Sequence, residues 1–139
     1  MDQTYKTGQE EFWAGDFGDD YIGRNCEAAL LPARVARFSR MFAGAAPISS
    51  AMELGANIGL NLHALKVLFP DLRAAAVEIN AKAAGELARS DWVDVHQASI
   101  LEFQSDETYD FTYTSTVMIH IEPKSLPLVY QSLYDLSHR

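Results

Sequence analysis

The chain has 139 residues, enough for one domain with a real core, and its 48% apolar and 22% charged residues are ordinary for a globular protein. A net charge of −8 and the lack of any basic run argue against a nucleic-acid partner. No apolar stretch reaches the ~20 residues of a membrane helix, and the polar, acidic start MDQTYKTGQEEF is no signal peptide, so neither membrane nor export is expected. The single Cys26 has no internal disulfide partner, which fits a reducing cytoplasm; its neighbours suggest a packed helix residue rather than a nucleophile.

In chain order, residues 8–25, rich in acids, aromatics and glycines, read as a short helix followed by a loop. Residues 26–43 carry Leu30, Val35, Phe38, Met41 and Phe42 at helical spacing, with Pro32 near the start, where a helix tolerates it. Gly44 and Pro47 punctuate, which sets residues 1–46 apart as a helical N-terminal segment or lid and 47–139 as the core. The core then alternates. Strands are expected over 48–54, 73–79, 92–97 and 109–115. Helices are expected over 58–69, over 80–90 with Asn80 as N-cap, and over 123–139 with Pro123 in the first turn. Such alternation predicts βαβ units and a parallel α/β sheet of Rossmann-like, doubly wound type, with about four strands in the order 3-2-1-4.

Between the first strand and its helix lies AMELGANIGLN (51–61), a loop that can aim backbone N–H groups at an anion. Gly55 and Gly59 remove side chains that would block close approach. The dinucleotide fingerprint G-x-G-x-x-G would fall on Gly55, Asn57 and Leu60, so two of its three glycines fail. That disfavours a pyrophosphate ligand and an NAD-type oxidoreductase. Glu78 lies 23 residues beyond Gly55, at the end of the second strand, where a carboxylate can accept both hydroxyls of a ribose; the bland alternative is a solvated acid. Glu53 falls inside a strand buried on both faces, where it either bonds nearby backbone amides or faces a ligand ammonium. Ser99 and Ile100 follow the third strand where a base would pass: either the hydroxyl meets an adenine amine and Ile100 packs on the ring, or the segment is an ordinary turn.

The segments MELGANIGLN, VEIN, HQASILEF and YDFTYTSTVMIHI resemble the first four motifs of the class I S-adenosylmethionine-dependent methyltransferases. The resemblance implies S-adenosylmethionine as cofactor: the glycine loop holds its methionine end, the acid after strand two its ribose, the loop after strand three its adenine. Glu53, Gly55, Asn57, Gly59, Glu78, Ser99 and Ile100 match those positions. Asn57 departs from the usual middle glycine and Ser99 from a common aspartate. More narrowly, EEFWAGDFGDDYIGRN together with MELGANIGLN and TSTVMIHIEP is similar to the methylases associated with pseudaminic acid biosynthesis. This implies a small-molecule acceptor, with a sugar or sugar acid as the first candidate. The family's sheet has seven strands and this chain offers four, so the alternative is a cofactor-binding module or fragment without methyl transfer.

For the chemistry, Thr114 and Ser115 end strand four near the expected methyl group, and His120 follows either as a general base or as a packed histidine. Trp13, Phe17 and Tyr21 recur at intervals of four and form either a lid, with Tyr21 or Arg24 reaching the cofactor carboxylate, or a hydrophobic staple. No His or Cys spacing suggests a metal. Strand four lacks proline and lysine, so its edge is expected to be open and to support a homodimer.

Overall fold

The computed structural model describes residues 4–25 and 29–138; Cys26 lies outside the described residues. Four strands, β1 (Ser50–Leu54), β2 (Arg73–Glu78), β3 (Val93–Gln97) and β4 (Phe111–Tyr113), form one all-parallel sheet in the order β3-β2-β1-β4, as the alternation predicts. The helices are α1 (Gly8–Ala14), α2 (Asp16–Asn25), α3 (Leu30–Met41), α4 (Leu60–Leu68), α5 (Ala81–Leu87) and α6 (Leu126–Asp135). Short 3-10 turns cover Met118–His120 and Pro123–Ser125. Among the described residues no helix is long and apolar enough to cross a membrane.

The period-two rule of a strand assigns the core. Ala51, Ala74 and Ala76 face one layer, with Phe38 of α3, Leu62 and Leu65 of α4 and Leu87 of α5. Met52, Leu54, Ala75 and Val77 face the other, with Ile100, Tyr109 and Val129 of α6. Both central strands are thus buried on both sides, as parallel strands require. The alanines of β2 are weak strand formers, but small side chains let helices approach both faces, and burial overrides propensity.

Three expectations are corrected. Residues 16–25 form α2, not a loop. Gly18 there marks a close approach: a Cβ would stand 1.9 Å from the carbonyl oxygen of Trp13. Strand four is a ladder only over Phe111–Tyr113. On either side of it side chains replace ladder bonds: the Asp110 carboxylate accepts the amides of Ser49 and Ser50 at 2.7 and 3.0 Å, and Thr114 donates to the carbonyl of Leu54 at 2.8 Å. The terminal helix stops at Asp135, because the following residues bridge the start of β4 in parallel. Tyr109 donates its amide to Leu136 and accepts from the amide of His138, each at 2.8 Å. The edge of strand four is therefore occupied at Tyr109, while over Phe111–Tyr113 it has no ladder partner but β1 among the described residues.

Candidate functional site

The carboxyl ends of the strands open into one cavity, roofed by α1 and α2. This is where an open α/β sheet takes a ligand. The loop after β1 forms its floor. Gly55 has φ +78°, and a Cβ there would lie 2.5 Å from a methyl of Val117. Its amide and that of Ala56 both donate to the carbonyl of Val77, at 2.8 and 3.2 Å, which ties the loop to β2. Asn57 also has a positive φ, 51°, a region asparagine tolerates better than most residues. Its side-chain oxygen accepts the amide of Ile58 at 2.7 Å, so asparagine serves here in place of a glycine.

Glu78 ends β2 at the cavity wall, 8% exposed. One carboxylate oxygen accepts the amide of Asn57 at 2.6 Å and the other that of Asn80 at 2.8 Å. Burial pushes this carboxyl above its ordinary value, against the opposing pull of the amides of Asn80, Asn57 and Ile79. Two fixed oxygens with lone pairs to spare are a ready acceptor for two hydroxyls.

Glu53 is buried deeper, at 1% exposure. Neither oxygen meets a backbone amide, so of the two alternatives for this acid the first falls. Asn61 donates to one at 2.6 Å and the hydroxyl of Tyr113 to the other at 3.0 Å. The oxygen of Asn61 in turn accepts from Arg34 at 2.7 Å and from Arg37 at 2.9 Å. Burial raises the Glu53 carboxyl to about 7, only partly opposed by Asn61, Tyr113 and Arg34. Desolvation and the neighbouring Glu53 hold the hydroxyl of the half-buried Tyr113 well above its ordinary range.

The roof is fastened by polar contacts. Asn80 caps α5 by accepting the amide of Ala83 at 2.8 Å, and its NH2 donates to Asp19 of α2 at 2.8 Å and to the carbonyl of Trp13 at 3.2 Å. Ser99 donates to the carboxylate of Glu10 in α1. The Trp13 ring packs against Phe17 and Tyr21, each at 5.2 Å between centroids, and against His120 at 4.7 Å.

Of the residues singled out from the sequence, Glu53, Gly55, Asn57 and Glu78 line the cavity, and so do Ser99, Ile100, Ser115, Tyr21 and His120. Three do not. Gly59, with φ +79°, faces α5: a Cβ there would lie 2.2 Å from Leu87. The hydroxyl of Thr114 is turned to the Leu54 carbonyl. Arg24 is exposed and lies over the outer rings of Phe17 and Tyr21, 5.9 Å from each centroid. The sequence reading missed Glu10, Arg34, Asn61 and Val117 on the wall. For Glu10 a signal existed: Thr7-x-x-Glu10 is a capping box, formed here in full. Among the described residues no cluster of His, Cys, Asp or Glu could hold a metal.

The fold is Rossmann-like, carried here by four parallel strands, and solved methyltransferases share it. No family model matches the chain, and no curated protein does. Among solved structures it is similar to the sugar N-methyltransferase KedS8 from Streptoalloteichus sp ATCC 53650, with TM-score 0.63 and 19% identity over 99% of this chain and 54% of that one. It is also similar to the N-methyltransferase NodS from Bradyrhizobium japonicum WM9 in complex with S-adenosylhomocysteine, with TM-score 0.63 and 17% identity over 77% and 56%. The plantazolicin methyltransferase BpumL, also in complex with S-adenosylhomocysteine, gives TM-score 0.64 and 16% identity over 88% and 52%. The chain spans about half the length of the structures it matches.

Proposed function

We propose that the chain binds S-adenosylmethionine and transfers its methyl group to a small molecule. The observation that carries this reading is Glu78, a buried acid on the cavity wall whose two oxygens are fixed by the amides of Asn57 and Asn80. In this reading Glu78 takes the ribose hydroxyls. The loop from Gly55 to Asn57 takes the methionine end. Arg34, on the wall beside Glu53 and Asn61, replaces Arg24 as the cation nearest the carboxylate. Glu53 faces the ammonium, and Ser99 and Ile100 flank the base.

Methyl transfer is an in-line displacement: the bond from sulfur to the methyl carbon breaks as one to the acceptor forms, and the sulfonium becomes a thioether. Positioning and exclusion of water supply most of what such a step needs. The lid of α1 and α2, residues of the 1–46 segment, fits that task. Ser115 and His120 line the end nearest β4, where His120 would take the proton of a hydroxyl or ammonium acceptor. A sugar or sugar acid is the acceptor we favour. The similarity of residues 10–25 to methylases associated with pseudaminic acid biosynthesis supports it, and so does the sugar N-methyltransferase KedS8 among the similar structures. Self-association along Phe111–Tyr113 of β4 belongs to the same proposal.

A second reading, a binding module without transfer, is favoured by one fact: the matched structures are about twice as long. Calorimetric titration with S-adenosylmethionine, S-adenosylhomocysteine and NAD tests the binding. Heat with the first two and none with NAD is expected, and binding of NAD alone would overturn both readings. Transfer of a labelled methyl group to amino sugars and sugar acids then separates the enzyme from the module.

A further inference from the structure

Ser99 is the polar side chain that the loop after β3 offers to a base, yet its hydroxyl is already engaged. Its proton goes to Glu10, and it accepts the amide of Leu101 at 3.0 Å. The acid that takes that proton is unusual for its place. Glu10 belongs to α1, a helix of the roof, but it is 7% exposed and lines the cavity with Ile100 and Leu101. Its position is set from both sides. One oxygen is held by Ser99 and the other by the amides of Lys6 at 2.5 Å and Thr7 at 3.2 Å, the latter within the capping box. A carboxylate has about four lone-pair sites and three are taken here, so one oriented acceptor site remains, on the oxygen that Ser99 holds, beside Ile100 and Leu101 on the wall.

We infer that Glu10, delivered by the roof and oriented by Ser99, is the specificity residue that reads the exocyclic amine of the cofactor's base; this rests on the S-adenosylmethionine reading proposed above. An ionised carboxylate only accepts hydrogen bonds. It matches the 6-amino group of adenine, which only donates. A 6-keto purine would set a carbonyl oxygen against it, leaving two acceptors face to face without a proton between them, and buried unpaired polar groups discriminate strongly. Because the residue sits on α1, the base is read only when the roof is docked. Base recognition and closure of the site are then one event, and the capping box serves binding as well as the helix start.

The test measures S-adenosylhomocysteine against S-inosylhomocysteine by calorimetry on the whole chain, for the parent, Glu10→Gln and Thr7→Ala. The parent should prefer the adenosine compound by roughly tenfold or more. Glu10→Gln keeps the shape and an acceptor for Thr7 but adds an NH2 donor. It should narrow or invert the preference by about tenfold, with an unchanged far-UV spectrum. Thr7→Ala removes the hydroxyl that accepts the Glu10 amide and weakens the start of α1, but it leaves the carboxylate's own donors, Ser99 and the amides of Lys6 and Thr7, and should keep the parent's ratio. Equal weakening of both ligands by Glu10→Gln would reduce Glu10 to a helix cap and overturn the inference while leaving the cofactor reading standing. A parent that binds neither compound would sink both.

Discussion

The side-chain amide of Asn61 donates to Glu53 across 2.6 Å and makes the deepest acid of the site the end of a chain that begins at two arginines. The arginines do not touch Glu53 in this chain; they hold the amide that does. Burial therefore wins, and the carboxyl is pushed up to about 7. The sign for stability follows. Between about pH 4.5 and 7 the native state keeps a proton that the unfolded chain releases, so stability falls as pH rises through that window. The difference between about 7 and the ordinary 4.5 corresponds to roughly 3 kcal/mol at most. Urea unfolding at pH 5 and pH 8 should show the loss, and Glu53→Gln should flatten most of it. Glu78, shifted in the same direction, leaves a residual slope. A parent whose stability rises between those pH values would contradict this account of Glu53.

The same acid gives ligand binding a proton signature. An ammonium brought beside Glu53 favours its charged form, so binding near pH 6.5 should release protons. Titrating S-adenosylhomocysteine in two buffers of unlike ionisation enthalpy reads this directly. Identical heats in both buffers would place the ammonium elsewhere.

Much of this site was legible from the sequence because it depends on order along the chain. Alternation gave the parallel sheet, and the sheet order put the loops of Gly55, Glu78 and Ser99 at one end. What the sequence hid depends on meetings between distant segments. Glu10 meets Ser99 across 89 residues and Arg34 meets Asn61 across 27, and no local period marks such pairs. Residues 16–25 looked like a loop because they hold two glycines, but Gly18 is there so that α2 can press on the backbone of α1. Gly55 and Gly59 looked alike in the loop, yet one faces Val117 and the cavity and the other a leucine of α5.

Glu78→Ala should lose roughly 10- to 150-fold in affinity for S-adenosylhomocysteine, the range of a lost hydrogen bond to a charged group. Part of that loss comes through Asn57 and Asn80, whose amides the carboxylate holds. Glu78→Gln, which retains one acceptor oxygen, should fall between the parent and alanine. Calorimetry on the three proteins checks the order, and parent-like binding by Glu78→Ala would remove the acid from the site.

The two loop glycines should separate binding from stability. Gly59→Ala forces a Cβ at φ +79° toward Leu87, so it should cost about 1–3 kcal/mol in unfolding free energy while the folded fraction still binds. Gly55→Val is driven against Val117 at the cavity floor and should abolish binding with a folded far-UV spectrum. Denaturant melts and calorimetry on both variants give the comparison. Normal binding by Gly55→Val would show that the loop does not approach the ligand.

The edge of β4 leads to the last prediction. Its start is taken by the bridge from Tyr109 to Ser137, but Phe111, Thr112 and Tyr113 pair only with β1 among the described residues. A strand with aromatic side chains and unpaired backbone groups on one side is a template for another strand. Helix α3 covers one face of the strand, with Phe38 against the rings of Phe111 and Tyr113, but a helix on the face leaves the edge groups of the backbone unpaired. Beside it α6 leaves Tyr130 and Tyr134 more than half exposed, which widens the apolar surface a second copy would cover. A two-fold pairing of this chain along β4 satisfies both features at once. Sedimentation equilibrium at micromolar concentration should give about twice the 15.4 kDa chain mass. Amide exchange over residues 111–113 should slow as concentration rises, because the protecting partner is another molecule. A monomer whose exchange at these residues is slow at every concentration would mean that the edge is covered from within the chain, and the pairing would fall.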